Sequence, residues 1–321
     1  MGKCLRHVAC GFIAALLMVA APGYSTLAGA DDTAARPDIR TEAGQREILE
    51  RIRQSPFPEP IVLQSAEEAD TIHGDIHGIV QEPLERLAVY LKQTKYWCRI
   101  LFLHHNVKTC LHAGNAGEGE IGLFLGRRYY QEPDEVDLVR FRLEVIQDDE
   151  NLIAADMRTD RGVLGAQDIR IRIQAVPLDD EHSLAHMRYS IGLGRFARTS
   201  LRVYLRTIGR DRIGFTVIGT DQAGDPIHVG GLRGVIERNT VRFYLAMQAF
   251  TEYPEADELK ARLERWFELT DQHPEQLREL DRETYLDQKR REHENQTARQ
   301  ETLLPGERLR LPLAPPDPLL P

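Results

Sequence analysis

Six apolar runs follow one another so closely between residues 100 and 193 that only turns can join them. They span residues 100–112, 121–130, 136–146, 153–158, 168–176 and 183–193. Within 168–176, Ile169, Ile171, Ile173 and Ala175 fall on one side while Arg170, Arg172 and Gln174 fall on the other. That period of two marks a strand with one dry face and one wet face. Turn residues at Asn115-Ala116-Gly117, Pro133-Asp134 and Asp179-Asp180 separate the runs at hairpin distances. None of the spacers is long enough to carry the helical crossover that a parallel pair requires. The expected sheet is therefore antiparallel and curved over a single apolar face.

Helical patterns flank this block. Residues 41–53 bring Ile48, Leu49 and Ile52 onto one face, and the prolines of 56–60 stop that helix. Residues 71–80 read as a strand, after which Pro83 opens a helix with Leu84, Leu87, Ala88 and Leu91 in register and Trp97 and Cys98 at its end. Leu201, Tyr204, Leu205 and Ile208 have helical spacing, and a hairpin through 213–218 and 227–229 then turns at Gln222-Ala223-Gly224-Asp225. Ile236, Thr240, Phe243, Tyr244 and Met247 fit a further helix, as do Leu259, Leu263, Trp266 and Phe267. The class is α+β, with the helices gathered after the strands.

The ends bound where such a chain works. Lys3 and Arg6 precede an apolar run over residues 12–21, and Ala28-Gly29-Ala30 follows it, the layout of a secretory signal peptide cleaved near Ala30. Losing Lys3 and Arg6 leaves 39 basic against 50 acidic side chains, a net charge of −11. So acidic a chain is not expected to seek nucleic acid or anionic lipid. No later stretch has the length of a membrane span, so the mature chain is expected to be soluble and periplasmic or secreted. Cys98 and Cys110 are the two cysteines that remain, and in an oxidising compartment such a pair is expected to form a disulfide. Residues 288–301 hold almost nothing apolar, and six of the 17 prolines fall in the last twenty residues. These features predict a frayed helix running into a disordered tail.

A strand and helix over residues 71–97, antiparallel strands to Leu193 and helices after Gly194 make an order that resembles the START-like helix-grip superfamily, also called SRPBCC. That superfamily includes polyketide cyclases and lipid-transfer domains. The resemblance covers residues 65–270, preceded by a helix and linker over 31–64 and followed by a charged extension over 271–300 and a tail over 301–321. It implies a sheet wrapped around a long C-terminal helix, with an apolar cavity between them for a lipid-like, sterol-like or polyketide-like guest. The hairpin at 213–229 departs from the pattern and is expected to interrupt the gripping helix. Candidate lining residues on the apolar faces are Ile171, Met187, Tyr189, Phe243 and Met247, with Tyr189 able to orient a polar head group through its phenol. Arg238 and Arg242, four apart on one helix, repel each other and want an anionic partner from the protein or from a ligand.

Other motifs point to different chemistry. Gly74-Asp75-Ile76-His77-Gly78 resembles the opening metal-binding motif of the calcineurin-like metallophosphoesterases, and His73 adds a third potential ligand on the same strand face. The later blocks of that family are missing: Asp160-Arg161-Gly162 is a fragment of the second, and Gly114-Asn115 runs into Ala116. The plain reading is the polar face of an edge strand. His104 and His112 offer imidazoles that pairing of this strand with the next would bring near His73 or His77. Gly230-Gly231-Leu232-Arg233-Gly234 lacks the spacing of a nucleotide-binding loop and reads as a turn, and no serine sits in a Gly-x-Ser-x-Gly elbow. The expectation is a carrier of a hydrophobic small molecule, without cofactor, metal or catalytic set. The alternatives are a metal-dependent phosphoesterase or cyclase-like enzyme, and a structural protein of the envelope.

Overall fold

The computed structural model describes residues 37–207 and 212–303. The expected signal peptide and nearly all of the expected tail lie outside those residues. Thr41 caps helix α1 (Glu42–Arg53) by accepting a hydrogen bond from the Gly44 amide at 3.1 Å. A hairpin of β1 (Ile61–Glu67) and β2 (Thr71–Val80) follows. Pro83 then caps α2 (Leu84–Leu91), and α3 (Thr94–Leu101) comes next. Six strands run in succession: β3 (Val107–Asn115), β4 (Glu118–Leu125), β5 (Asp137–Asp148), β6 (Ile153–Arg161), β7 (Ala166–Pro177) and β8 (Ser183–Leu193). After them stand α4 (Arg195–Thr207), the small hairpin β9 (Val217–Thr220) and β10 (Pro226–His228), the long α5 (Gly231–Glu252), α6 (Leu259–Asp271), α7 (Pro274–Leu277) and α8 (Arg282–Glu301).

The eight strands form one antiparallel sheet in the order β1-β2-β8-β7-β6-β5-β4-β3. Bulges in β3, β5 and β7 bend individual strands, and at the last of these Asp168 adopts a positive φ of 46°. Helix α5 lies on the inner face against β1, β2 and β8, the helix-grip arrangement. Side chains from the sheet, α2, α3, α5 and α6 make one continuous apolar core. Helix α1 packs on the outer face, where Ile48 joins Val176 and Leu184.

What lets α5 approach the sheet is the absence of side chains on β2. A Cβ at Gly74 would stand 2.4 Å from the Thr240 hydroxyl, and one at Gly78 would stand 2.2 Å from the Tyr244 hydroxyl. These are the two glycines of the Gly-Asp-Ile-His-Gly motif, so their part in this fold is to seat a helix.

Four expectations change. Residues 100–112 are not one strand: Ile100 and Leu101 finish α3, because Trp97, Cys98 and Leu101 continue a helical spacing, and β3 begins at Val107. Residues 61–67, expected as linker and domain margin, form the outer strand β1. The small hairpin precedes α5 and does not interrupt it. Helix α8, expected to fray, is docked with Tyr285, Lys289 and Glu292 buried.

Tyr285 of α8 joins the apolar core beside Trp266, while the rest of the docking, along β3, is polar. β3 is the last strand of the sheet, and side chains of α8 meet its free backbone edge. Lys289 donates to the Val107 carbonyl at 2.6 Å, and the Gln296 amide oxygen accepts from the Cys110 N–H at 2.8 Å. Gln300 both accepts from His112 N–H and donates to its carbonyl, each at 3.0 Å. Glu292 sits between Lys108 and Lys289, 2.9 Å from each ammonium. The Cys98–Cys110 disulfide forms as expected, with Cα atoms 5.3 Å apart, and ties α3 to the same strand. Closing a loop of this size stabilises the fold by about 3 kcal/mol in the chain-entropy description.

Two substitutions test this account by chemical denaturation. Gly78→Ala should cost about 1–3 kcal/mol, the cost of overpacking a filled interface. Glu292→Ala should cost about 3–5 kcal/mol, because it leaves two buried ammonium groups without their carboxylate.

Candidate functional site

The inner face beside α5 gathers most of the residues expected to line a cavity. Ile171 on β7 lies opposite Tyr189 on β8, which in turn lies opposite Gly74 on β2. Met187 on β8 lies between Ile173 and Ile76. Thr240 of α5 fills the space at Gly74, and the Tyr189 ring meets Phe243 of the same helix edge-on at 5.3 Å. Ile171, Met187 and Met247 are buried to 3% exposure or less and belong to the common core. At those three positions the interior is packed.

One stripe of α5 behaves differently. Val235, Asn239 and Phe243, spaced four apart, remain partly accessible, whereas Ile236, Thr240, Val241, Tyr244 and Met247 around them are buried. Ile191 on β8 and Leu201 on α4 are also partly accessible apolar side chains against the same core. Phe243 further touches the His104 ring at 5.2 Å. Burial holds the Tyr189 phenol well above its usual range, so it stays protonated. Burial also holds His104 and His105 well below the usual histidine range, reinforced at His104 by Arg242 and Lys289. Both imidazoles are therefore neutral at pH 7, and the inner wall is uncharged.

Arg238 is not on that wall. It pairs with Glu279, and Arg242 reaches the same carboxylate at 3.1 Å and the Leu277 carbonyl at 3.0 Å. The anionic partner that the Arg238/Arg242 spacing calls for thus comes from the protein. Glu279 also borders a half-open cleft of about 20 Å3, lined by His105, Trp266, Phe267, Leu277 and Tyr285 among others. Sequence reading took Trp266 and Phe267 as core-facing helix positions and had no signal for Glu279, which lies 41 residues from Arg238.

The motif on β2 is placed differently from either of its readings. β1 covers the outer flank of β2, so β2 is an internal strand, and His73, Asp75 and His77 are buried, not solvated. They point away from Gly74 and Gly78 by strand alternation, onto the face opposite α5. Asp75 Oδ1 lies 2.9 Å from His186 Nε2, and the His77 ring stacks on His186 at 4.3 Å. Among the described residues no group of three histidine, cysteine, aspartate or glutamate side chains is placed to hold a metal ion. Joining His104 or His112 to His73 or His77 fails on topology, since β2 and β3 stand near opposite ends of the sheet. His104 lies before β3 begins, in the turn that follows α3. Among the described residues, no helix is long and apolar enough to cross a membrane.

No family profile matches this chain, and no curated protein matches it. Solved structures with a similar fold include a conserved protein of unknown function from Enterococcus faecalis, 11% identical, covering 73% of this chain and 91% of that one at a TM-score of 0.32. An aromatase/cyclase from Streptomyces sp. R1128 is 11% identical, covers 61% of this chain and 94% of that one, and has a TM-score of 0.29. A human StarD lipid transfer and protein localization domain is 7% identical, covers 48% and 83%, and has a TM-score of 0.28.

The neutral histidines carry a pH signature. Their folded pKa values lie below the unfolded value of about 6.5, so the unfolded chain binds more protons as pH falls through that value. Thermal stability should decline from pH 7 to pH 5, and His104→Asn with His105→Gln should show a shallower decline when melting is followed by circular dichroism.

Proposed function

We propose that this chain binds a hydrophobic small molecule between β8 and α5 and carries it without transforming it. The observation that supports this is the partly accessible stripe Val235, Asn239 and Phe243, which runs along α5 beside the inward-facing Tyr189 and is flanked by the buried Ile236, Thr240 and Tyr244. An apolar guest set there would remove Phe243 and its neighbours from water, at about 25 cal/mol for each Å2 covered. Asn239 and the protonated Tyr189 phenol offer hydrogen bonds to orient a polar end. The guest belongs to the lipid-like class, and the compartment is periplasmic or extracellular. The signal-peptide pattern and the Cys98–Cys110 disulfide both support that location.

A second reading, a structural envelope protein without a ligand, draws on the dense packing of Ile171, Met187 and Met247. Native mass spectrometry on protein purified from a periplasmic fraction separates the two. The carrier should arrive with an apolar adduct that organic extraction removes, and Phe243→Trp, which fills the accessible space, should reduce its occupancy. Protein that is ligand-free in every preparation, and is merely stabilised by Phe243→Trp, would leave the structural reading in its place.

A further inference from the structure

The polar groups that the inner wall of β8 and α5 can offer a guest are donors. Tyr189 is 9% exposed, and its hydroxyl makes no hydrogen bond among the described residues. The buried phenols of Tyr244 and Tyr285, by contrast, donate to the Ile79 carbonyl at 3.3 Å and to the Leu103 carbonyl at 2.8 Å. A buried hydroxyl left without an acceptor is costly, so an oxygen that arrives beside Tyr189 is stabilised there. The surroundings of the ring are partly accessible: Phe243, which it meets edge-on, Asn239 one turn earlier on α5, and Ile191 two residues along β8 on the same face.

A second donor is set by its neighbours. His104 Nδ1 accepts from the Asn106 amide at 3.1 Å, so the neutral ring carries its proton on Nε2. Asn239 hydrogen-bonds to the same ring, and what it can offer to an N–H is its carbonyl oxygen. That leaves the two protons of its amide nitrogen for another acceptor. The charges that act on His104 are those of Arg242, Lys289 and Lys108, all positive and all engaged elsewhere: Arg242 with Glu279, Lys289 with the Val107 carbonyl, and Lys108 with Glu292. An ammonium end of a guest is therefore repelled. A carboxylate end gives up its hydration and finds only neutral donors in return. A ketone or ester oxygen loses least on leaving water and accepts from both donors.

We propose that the guest of this wall ends in a neutral carbonyl, a ketone or an ester, whose oxygen accepts from the Tyr189 hydroxyl and the Asn239 amide. This names the ligand class of the carrier reading and rests on it. Three probes that share one ring system, 2-acetylnaphthalene, 2-ethylnaphthalene and 2-naphthoate, are titrated at pH 7 into the full mature protein and into Tyr189→Phe, followed by the backbone amide signal of Phe243 in 1H–15N NMR. The ketone should bind about fivefold more tightly than the hydrocarbon of the same shape, the worth of one neutral hydrogen bond, and naphthoate more weakly than the ketone. Tyr189→Phe should abolish the ketone's advantage and leave the hydrocarbon's affinity unchanged. It should also leave the melting temperature of the ligand-free protein unlowered, since no internal bond is lost. If that variant fails to fold, Asn239→Leu decides the matter, and it should reduce the same advantage. Equal affinity for ketone and hydrocarbon, or an advantage that survives the substitution, would overturn the carbonyl class while leaving the carrier reading in place. Naphthoate binding as tightly as the ketone would overturn the neutrality of the end group. Three probes that all leave Phe243 unshifted would overturn the carrier reading and this inference together.

Discussion

The close seat of α5 on β2 sets the geometry of the molecule. Gly74 and Gly78 leave two gaps on the inner face of that strand, and Thr240 and Tyr244 occupy them. Any side chain at either glycine would lift the helix from the sheet and with it the stripe that carries Asn239 and Phe243. The same two residues fix strand alternation: with the glycines facing in, His73, Asp75 and His77 must face out. A motif that suggests metal chemistry in the sequence is thereby used on one side for helix packing and on the other for a buried polar cluster around His186.

A second regularity is how the protein manages charge that it buries. Glu237 on α5 accepts from the backbone amides of Phe215 and Thr216 and from the Ser65 hydroxyl, which anchors the segment before β9 to the first turns of the helix. Glu292 pairs with two lysines, Lys108 of β3 and Lys289 of α8. Each of these carboxylates is surrounded by donors from different elements, so the ion sites also act as joints between those elements. Glu279, in the segment after α7, does the same for Arg238 and Arg242 of α5.

The strands were legible because a half-buried strand writes its two faces into alternate residues, as 168–176 does most openly. The helix starting after Pro83 and the pairing of Cys98 with Cys110 were legible for similarly local reasons. β1 was not, because its seven residues follow a proline-rich approach and carry only a short apolar opening. α3 merged with the run that follows it, since Ile100 and Leu101 serve a helix and yet stand next to strand-like sequence. The site was legible in part. Apolar parity placed Ile171, Met187 and Tyr189 on the inner face, and helical spacing placed Phe243 on the apolar face of its helix, but only the fold brought the Tyr189 and Phe243 rings together. The Arg238/Arg242 spacing announced a need for an anion without revealing which one. Contacts such as Arg242 with Glu279, or Gln300 with His112, join distant stretches through single polar side chains and leave no periodic trace.

An eight-stranded sheet that does not close on itself keeps a rim at β3, and a bare rim is a template on which another chain's backbone can crystallise into shared sheet. Here a row of amides and an ammonium from α8 imitates a neighbouring strand, supplying donors and acceptors at Val107, Cys110 and His112. The imitation ends the ladder because a helix cannot pass the pattern on to a further strand. A protein cut short before Arg282 would lose this terminator, and the backbone groups of β3 at Val107, Cys110 and His112 would lose the partners that α8 gives them.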